Sequence, residues 1–255
     1  MNGKMKSLVV DRGGKLEVRE LPIPSYNEYQ ALVKMIAGGI CGTDRKLVHG
    51  NFKNFDTYPA ILGHEGVGMI VEKGSKVENY NIGDIVLLPF VEGKLDDCYP
   101  GWGAFSEYAV VGDAKALIKA GYGPGSPLFS EAYYAQQVIP KDIDPVGAVM
   151  IVTFREVYSA TKHFGFEPNK SIVIFGAGPV GLCFVRFSKL MGMGPIIVFD
   201  IVDNKLDEAI SMGADFAFNS KKVNVKETVK QFLHEGADFV VEAVGYNPII
   251  NQAME

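Results

Sequence analysis

Two rhythms of apolar residues divide the chain. In the first hundred or so residues, short β-branched runs recur at 8–10, 16–18, 31–35, 66–71 and 84–88, with turn formers between them: Pro22, Pro24, Gly38, Gly39, Gly74, Asn81 and Gly83. Short strands punctuated in this way predict a compact antiparallel barrel or sandwich. Residues 121–127 are glycine- and proline-rich and predict a loop. From about Val146 the period lengthens. An apolar stretch after Pro145 runs through Glu156, Ala160 and His163 and predicts a helix starting just past the proline. Strands at 172–175, 196–200, 216–218 and 238–242 then alternate with helices ending near Met191, covering 204–212 and covering 225–234. That alternation is the mark of a parallel sheet covered on both faces. No internal repeat interrupts either half, and the boundary falls near residues 150–165.

Composition narrows the function classes. Twenty-five basic against thirty acidic residues give a net charge of −5 over 255 residues, with 47% hydrophobic residues. No basic surplus points to nucleic acid, and no apolar run approaches the about 20 residues of a membrane span. Neither nucleic acid nor membrane is therefore expected as a partner. Cys41, Cys98 and Cys183 stand singly, which excludes a disulfide framework and suits a cytoplasmic location.

The clearest chemistry lies in the second half. Gly176-Ala-Gly178-Pro179-Val180-Gly181 directly follows a strand and opens a helix, and the next strand ends in Asp200. In a dinucleotide site, Gly176 permits the tight turn, Gly178 lets the backbone approach a pyrophosphate, and Gly181 lets helix and sheet pack closely. Asp200 would accept from the adenosine ribose and repel a 2′-phosphate, so NAD is favoured over NADP, with Lys205 a partial counterweight.

In the first half, the candidates are Cys41 with Thr43 and Asp44, and His64 with Glu65. A thiolate and an imidazole suit zinc, but Cys41 and His64 are too far apart for a finger, so the fold must unite them. Asp44 reads as a helix N-cap. GICGTD, LGHEGVGMI, NIGDIV, GAFSEYAVV and GAGPVGL, in this order over nearly the whole chain, resemble the medium-chain zinc-dependent alcohol and polyol dehydrogenases. The resemblance implies an α/β plus β protein, with a GroES-like β-barrel catalytic domain over 1–157 and an incomplete Rossmann doubly wound parallel sheet over 158–255. It also implies hydride exchange between NAD and a secondary alcohol, polyol or sugar, and a homo-oligomer for the full-length protein. By the same resemblance Cys41 and His64 match zinc ligands, Glu65 an acidic neighbour that coordinates directly or from behind, and Thr43 the proton-relaying hydroxyl. Gly176, Gly178, Pro179, Val180, Gly181, Asp200 and Val244 would hold the cofactor.

Three departures shape the expectations. The place usually taken by the third ligand holds Val152, and Glu156 lies one helical turn on; Glu156, or else Glu65, is expected to complete the site. Cys98 is a further candidate ligand that also reads as a small apolar group. The cysteine-rich lobe of many relatives is absent, so a single catalytic zinc and no structural zinc is expected. Lys46 stands where some relatives have a relay histidine; His49 is a substitute reading, and His163 and His234 read as structural. Trp102, Phe52 and Arg155 are expected near the substrate. Four strands where such a sheet has six predict a C-terminally truncated chain that binds NAD weakly and turns over poorly. A zinc-free reductase and a catalytically silent dinucleotide binder are the alternatives.

Overall fold

A computed structural model describes residues 3–254; positions 1, 2 and 255, which the two expected domain ranges include, lie outside the described residues. The chain divides into two compact units, Met1–Val152 and Thr153–Glu255.

The first unit is built on two sheets. Strands β1 (Lys4–Val10), β2 (Leu16–Pro22), β4 (Ala60–Ile61) and β7 (Tyr99–Pro100) form one in the order β2-β1-β4-β7. Strands β3 (Gln30–Gly39), β5 (Glu65–Lys73), β6 (Ile85–Leu87) and β8 (Tyr108–Gly112) form the other in the order β6-β5-β3-β8. This is the GroES-like architecture. The five apolar runs all overlap strands, the last reaching one residue beyond β6 at each end, while β4 and β7, with two residues each, are too short to show a period. Helices α1 (Gly42–Val48) and α2 (Ala114–Lys119) are short inserts. The centre of the second sheet is buried on both faces, with Ala31, Val33, Ile70, Val86 and Val111 in one cluster.

The antiparallel register of β3 and β5 positions the chemistry. It pairs Gly38 with Gly66 and Gly39 with Glu65. Cys41 leaves the end of β3 just as His64 enters the start of β5, so two segments more than twenty residues apart converge at one end of the ladder.

Helix α3 (Met150–Phe164) follows a 3₁₀ turn at Gly147–Val149, so the helical region does begin just past Pro145. The second unit then alternates β9 (Ile172–Phe175), α4 (Pro179–Leu190), β10 (Ile196–Asp200), α5 (Asp203–Met212), β11 (Phe216–Asn219), α6 (Val225–Phe232), β12 (Phe239–Glu242) and α7 (Asn247–Ala253). All pairings are parallel, in the order β11-β10-β9-β12. Successive side chains on a strand point to opposite faces. Ile172, Ile174, Ile196 and Val198 accordingly join Phe184, Val185 and Ala209 of α4 and α5, whereas Val173, Phe175, Ile197 and Phe199 join Val225, Val229 and Ile249 of α6 and α7. Two separate cores on one sheet make it doubly wound, and they explain why its strands are continuously apolar. No helix among the described residues is long and apolar enough to cross a membrane.

Candidate metal centre and dinucleotide groove

Donor atoms of Cys41, His64 and Glu65 all lie within 4.8 Å of one another, and all three residues are half-buried. His64 Nε2 is 3.9 Å from Glu65 Oε1. Gly39, opposite Glu65 in the ladder, makes this possible: a Cβ there would stand 2.6 Å from Glu65 Oε2 and 2.9 Å from Val149 Cγ1.

Asp44 is not the N-cap that its position suggests. Cys41 occupies that place, and Asp44 is the third residue of the first turn, its Oδ2 accepting the Cys41 N–H at 2.8 Å in a capping box. The physical reason is spacing, because a carboxylate three residues into a helix reaches back to the cap. Its other oxygen, Oδ1, is buried without a hydrogen-bond partner and stands 3.7 Å from His64 Nδ1. One carboxylate thus holds the Cys41 backbone with one oxygen and faces the His64 ring with the other. Sequence reasoning missed this role, although the spacing of three residues from Cys41 to Asp44 carried it.

The donor set fits a cation. Burial pushes the Cys41 thiol above its ordinary pKa and the nearby Glu65 carboxylate adds to the rise, while hydrogen bonds from the backbone and hydroxyl of Thr43 oppose it. A thiol and a carboxylate crowded together are stabilised as anions only by a positive charge between them. Thiolate, imidazole and carboxylate in one cluster suit zinc, and three protein ligands leave a fourth position open. A carboxylate behind the ring nitrogen that does not ligate is the usual means of orienting a metal-binding imidazole.

The remaining candidates fall elsewhere. Glu156 is exposed on α3, in the second unit, and Val152 is packed in the core with Val67 and Leu87. Cys98 is fully buried among Met5, Val9, Leu21 and Ile61. His49 is exposed at the end of α1, His234 is not buried, and His163 Nδ1 lies 2.8 Å from the Ser159 carbonyl. Trp102 lies against His64, with ring centroids 5.2 Å apart, and is braced by Phe52 and Phe55.

In the second unit, Gly176, Asp200 and Val244 line one groove of about 820 Å³, together with Lys205 and Lys221. Gly176 has φ +97°, and a Cβ on it would meet Val244 Cγ2 at 2.8 Å. A Cβ on Gly181 would overlap the Gly176 carbonyl oxygen. Both positions therefore exclude side chains, for backbone geometry in the first case and close approach in the second. Gly178 caps α4 with Pro179 in its first turn and open space around it, and Val180 is exposed beside them. The helix start offers backbone N–H groups and the positive end of its dipole to a phosphate. Asp200 ties the loop together, its Oδ2 accepting from Ala177 N–H at 2.7 Å and its Oδ1 from Val202 N–H at 2.9 Å.

Residues 27–121 match the alcohol dehydrogenase GroES-like domain, and residues 179–255 match the zinc-binding dehydrogenase model. The chain is 32% identical over 227 residues to an alcohol dehydrogenase of Geobacillus stearothermophilus, covering 86% of this chain and 64% of that protein. It is 31% identical over 258 residues to sorbitol dehydrogenase of Bacillus subtilis, covering 98% of this chain and 70% of that one. An alcohol dehydrogenase of Escherichia coli CFT073, solved in complex with NADH, superposes with a TM-score of 0.78 at 26% identity, over 98% of this chain and 72% of that one.

Proposed function

The chain belongs to the family of zinc-binding, GroES-like alcohol dehydrogenases, and on that premise we propose that it exchanges a hydride between NAD and a secondary alcohol, polyol or sugar. The observation that carries this reading is the meeting of Cys41, His64 and Glu65 within 4.8 Å. Residues 1–157 would provide the metal site and 158–255 the dinucleotide site.

When bound, zinc supplies a Lewis acid that lowers the pKa of the substrate hydroxyl. Cys41, His64 and Glu65 would hold it, Glu65 in place of the ligand that Val152 lacks. Asp44 Oδ1, 3.7 Å from His64 Nδ1, is the carboxylate placed to orient that ring when the metal is held. The Thr43 hydroxyl, hydrogen-bonded beside Cys41, takes the substrate proton and passes it outward. Gly176 and Gly178 would leave room for a pyrophosphate at the start of α4, and Asp200 would accept from the ribose hydroxyls. A carboxylate at that place disfavours a 2′-phosphate, which supports NAD over NADP despite Lys205 and Lys221 on the same groove.

The test is metal analysis and NAD binding on the purified chain, followed by a screen of NAD⁺ reduction over secondary alcohols, polyols and sugars. Stoichiometric zinc with reduction by at least one substrate is expected. A metal-free protein that still reduces its cofactor would mean a zinc-free reductase, the reading that Val152 favours. Binding of NAD and zinc with no turnover on any substrate would mean a silent binder. Full zinc occupancy in Glu156→Ala would exclude Glu156 as the third ligand.

A further inference from the structure

One hollow of the first unit, of about 330 Å³, is walled by Trp102, Phe55 and Phe90 and by Glu92. It has the size of a small-molecule pocket. Trp102 has φ +75°, a left-handed backbone conformation that non-glycine residues rarely adopt. Such conformations persist where the surroundings impose them, and they cluster at ligand sites. The surroundings here are Phe55 stacked at 6.5 Å and Phe52 edge-on at 6.3 Å.

Glu92 is held as firmly. Its Oε2 accepts from Gln30 Nε2 at 2.6 Å and from the Tyr133 hydroxyl at 3.0 Å, and the same Gln30 nitrogen donates to that hydroxyl at 2.8 Å. Gln30 and Tyr133 are both at least nine-tenths buried. Burial, and after it the neighbouring Glu92 charge, push the Tyr133 phenol above its ordinary pKa, so it stays the donor and Glu92 the acceptor. Glu92 itself is exposed, and none of the lysine and arginine ion pairs among the described residues includes it. Lys94, two residues on, stands over the Tyr99 ring instead, 4.6 Å from its centroid. A carboxylate fixed by two buried donors thus lies among three aromatic rings with no ion-pair partner from the described chain.

We propose that this hollow binds a small organic ammonium ion, its charge against Glu92 and its alkyl groups on Trp102, Phe55 and Phe90. Aromatic faces attract a cation through the ring quadrupole, tryptophan most strongly, and the carboxylate adds direct attraction between opposite charges. A divalent metal ion needs several oxygen ligands at once, which one carboxylate among aromatic rings does not supply. A neutral ligand gains contact with the rings but leaves the carboxylate without a counter-charge. Only an alkylated cation suits both kinds of wall. The hollow shares no residue with the Cys41, His64 and Glu65 cluster, so this inference goes beyond the dehydrogenase reading and does not depend on it. The ammonium group belongs either to an alcohol that the enzyme oxidises or to a separate amine, and the chemistry that holds it is the same.

Trp102 is the single tryptophan of the chain, so its fluorescence reports occupancy of the hollow without any need for turnover. The purified chain is titrated with tetramethylammonium chloride, with choline, and with the uncharged isostere of choline in which carbon replaces nitrogen. Sodium chloride holds the ionic strength constant, and calorimetry runs in parallel. Tetramethylammonium and choline should each give a saturable fluorescence change, and the uncharged isostere should bind about tenfold more weakly or less. Glu92→Gln should weaken tetramethylammonium binding about tenfold, and Trp102→Leu should weaken it by calorimetry, with circular dichroism checking that both variants fold. The comparison of choline with its isostere needs no variant. Absence of saturable tetramethylammonium binding, equal affinity for the uncharged isostere, or unchanged affinity in folded Glu92→Gln would each overturn the proposal. Reduction of NAD⁺ by choline in the zinc-loaded protein would place the ammonium group on the substrate, whereas choline binding without reduction would make the hollow the site of a separate amine. A protein without zinc, or without turnover on any alcohol, would end the dehydrogenase reading and leave this one standing, since the titration requires neither.

Discussion

The two units build their sites in opposite ways. In the second, strand, glycine turn, helix and acid follow one another within one βαβ segment, from Ile172 to Asp200. In the first, Cys41 and the His64–Glu65 pair come from different segments and meet because β3 and β5 are registered with Gly39 opposite Glu65. A contiguous site depends on local backbone geometry, whereas an assembled site depends on sheet register and on the space left between paired strands. Damage to one should therefore leave the other intact, and four variants test that separation.

The largest effect is expected from Cys41→Ala, which removes a proposed ligand outright. Zinc retention after dialysis should fall by well over the about 100-fold that marks the upper end for loss of an outer partner, while calorimetric affinity for NAD stays near wild type. Loss of both would break the comparison. Gly181→Ala is the converse: the new methyl overlaps the Gly176 carbonyl oxygen. It should cost about 3 kcal/mol in urea denaturation and abolish NAD binding with zinc retained. Asp44→Asn keeps the shape of the capping box but weakens the partner of His64 Nδ1. A loss of zinc affinity of about 10- to 100-fold is expected, with stability changed by about 1 kcal/mol. An unchanged zinc affinity would reduce Asp44 to a helix cap.

The smallest effect concerns the start of the second unit. Asp238 accepts from the Ser171 N–H and hydroxyl and from Lys170, and these bonds lower its pKa to about 2. An unfolded aspartate titrates near about 3.9. The folded carboxyl is the stronger acid, so its stabilisation is complete above about pH 4 and lost as the pH falls towards 2. The urea midpoints of wild type and Asp238→Asn should differ above pH 4 and converge below it. A constant difference would mean that the side chain acts through shape alone.

Legibility followed the same division. Strands at 172–175 and 196–200 and the glycine turn were readable because the parallel sheet buries both faces and leaves continuous apolar runs. Strands β4 and β7 were not readable, because two residues hold no period. Asp44 was misread because a carboxylate near a helix start serves equally as a cap or as a reach-back partner, and only the backbone of Cys41 settles which. The contacts of Trp102 with His64, and of Glu92 with Gln30 and Tyr133, join positions 38 to 62 residues apart.

By itself the sequence determined the family, the doubly wound second unit, the residue types of the proposed metal centre and the place of Asp200 at the end of the strand after the glycine turn. Periodicity and motif order carry that information along the chain. Only the tertiary structure decided that Glu65 stands with Cys41 and His64, that Asp44 backs His64, and that an indole and a fixed carboxylate line one hollow. Those facts depend on strand register and on which side chains are excluded from close contacts, and neither is encoded in the spacing of residues along a single segment.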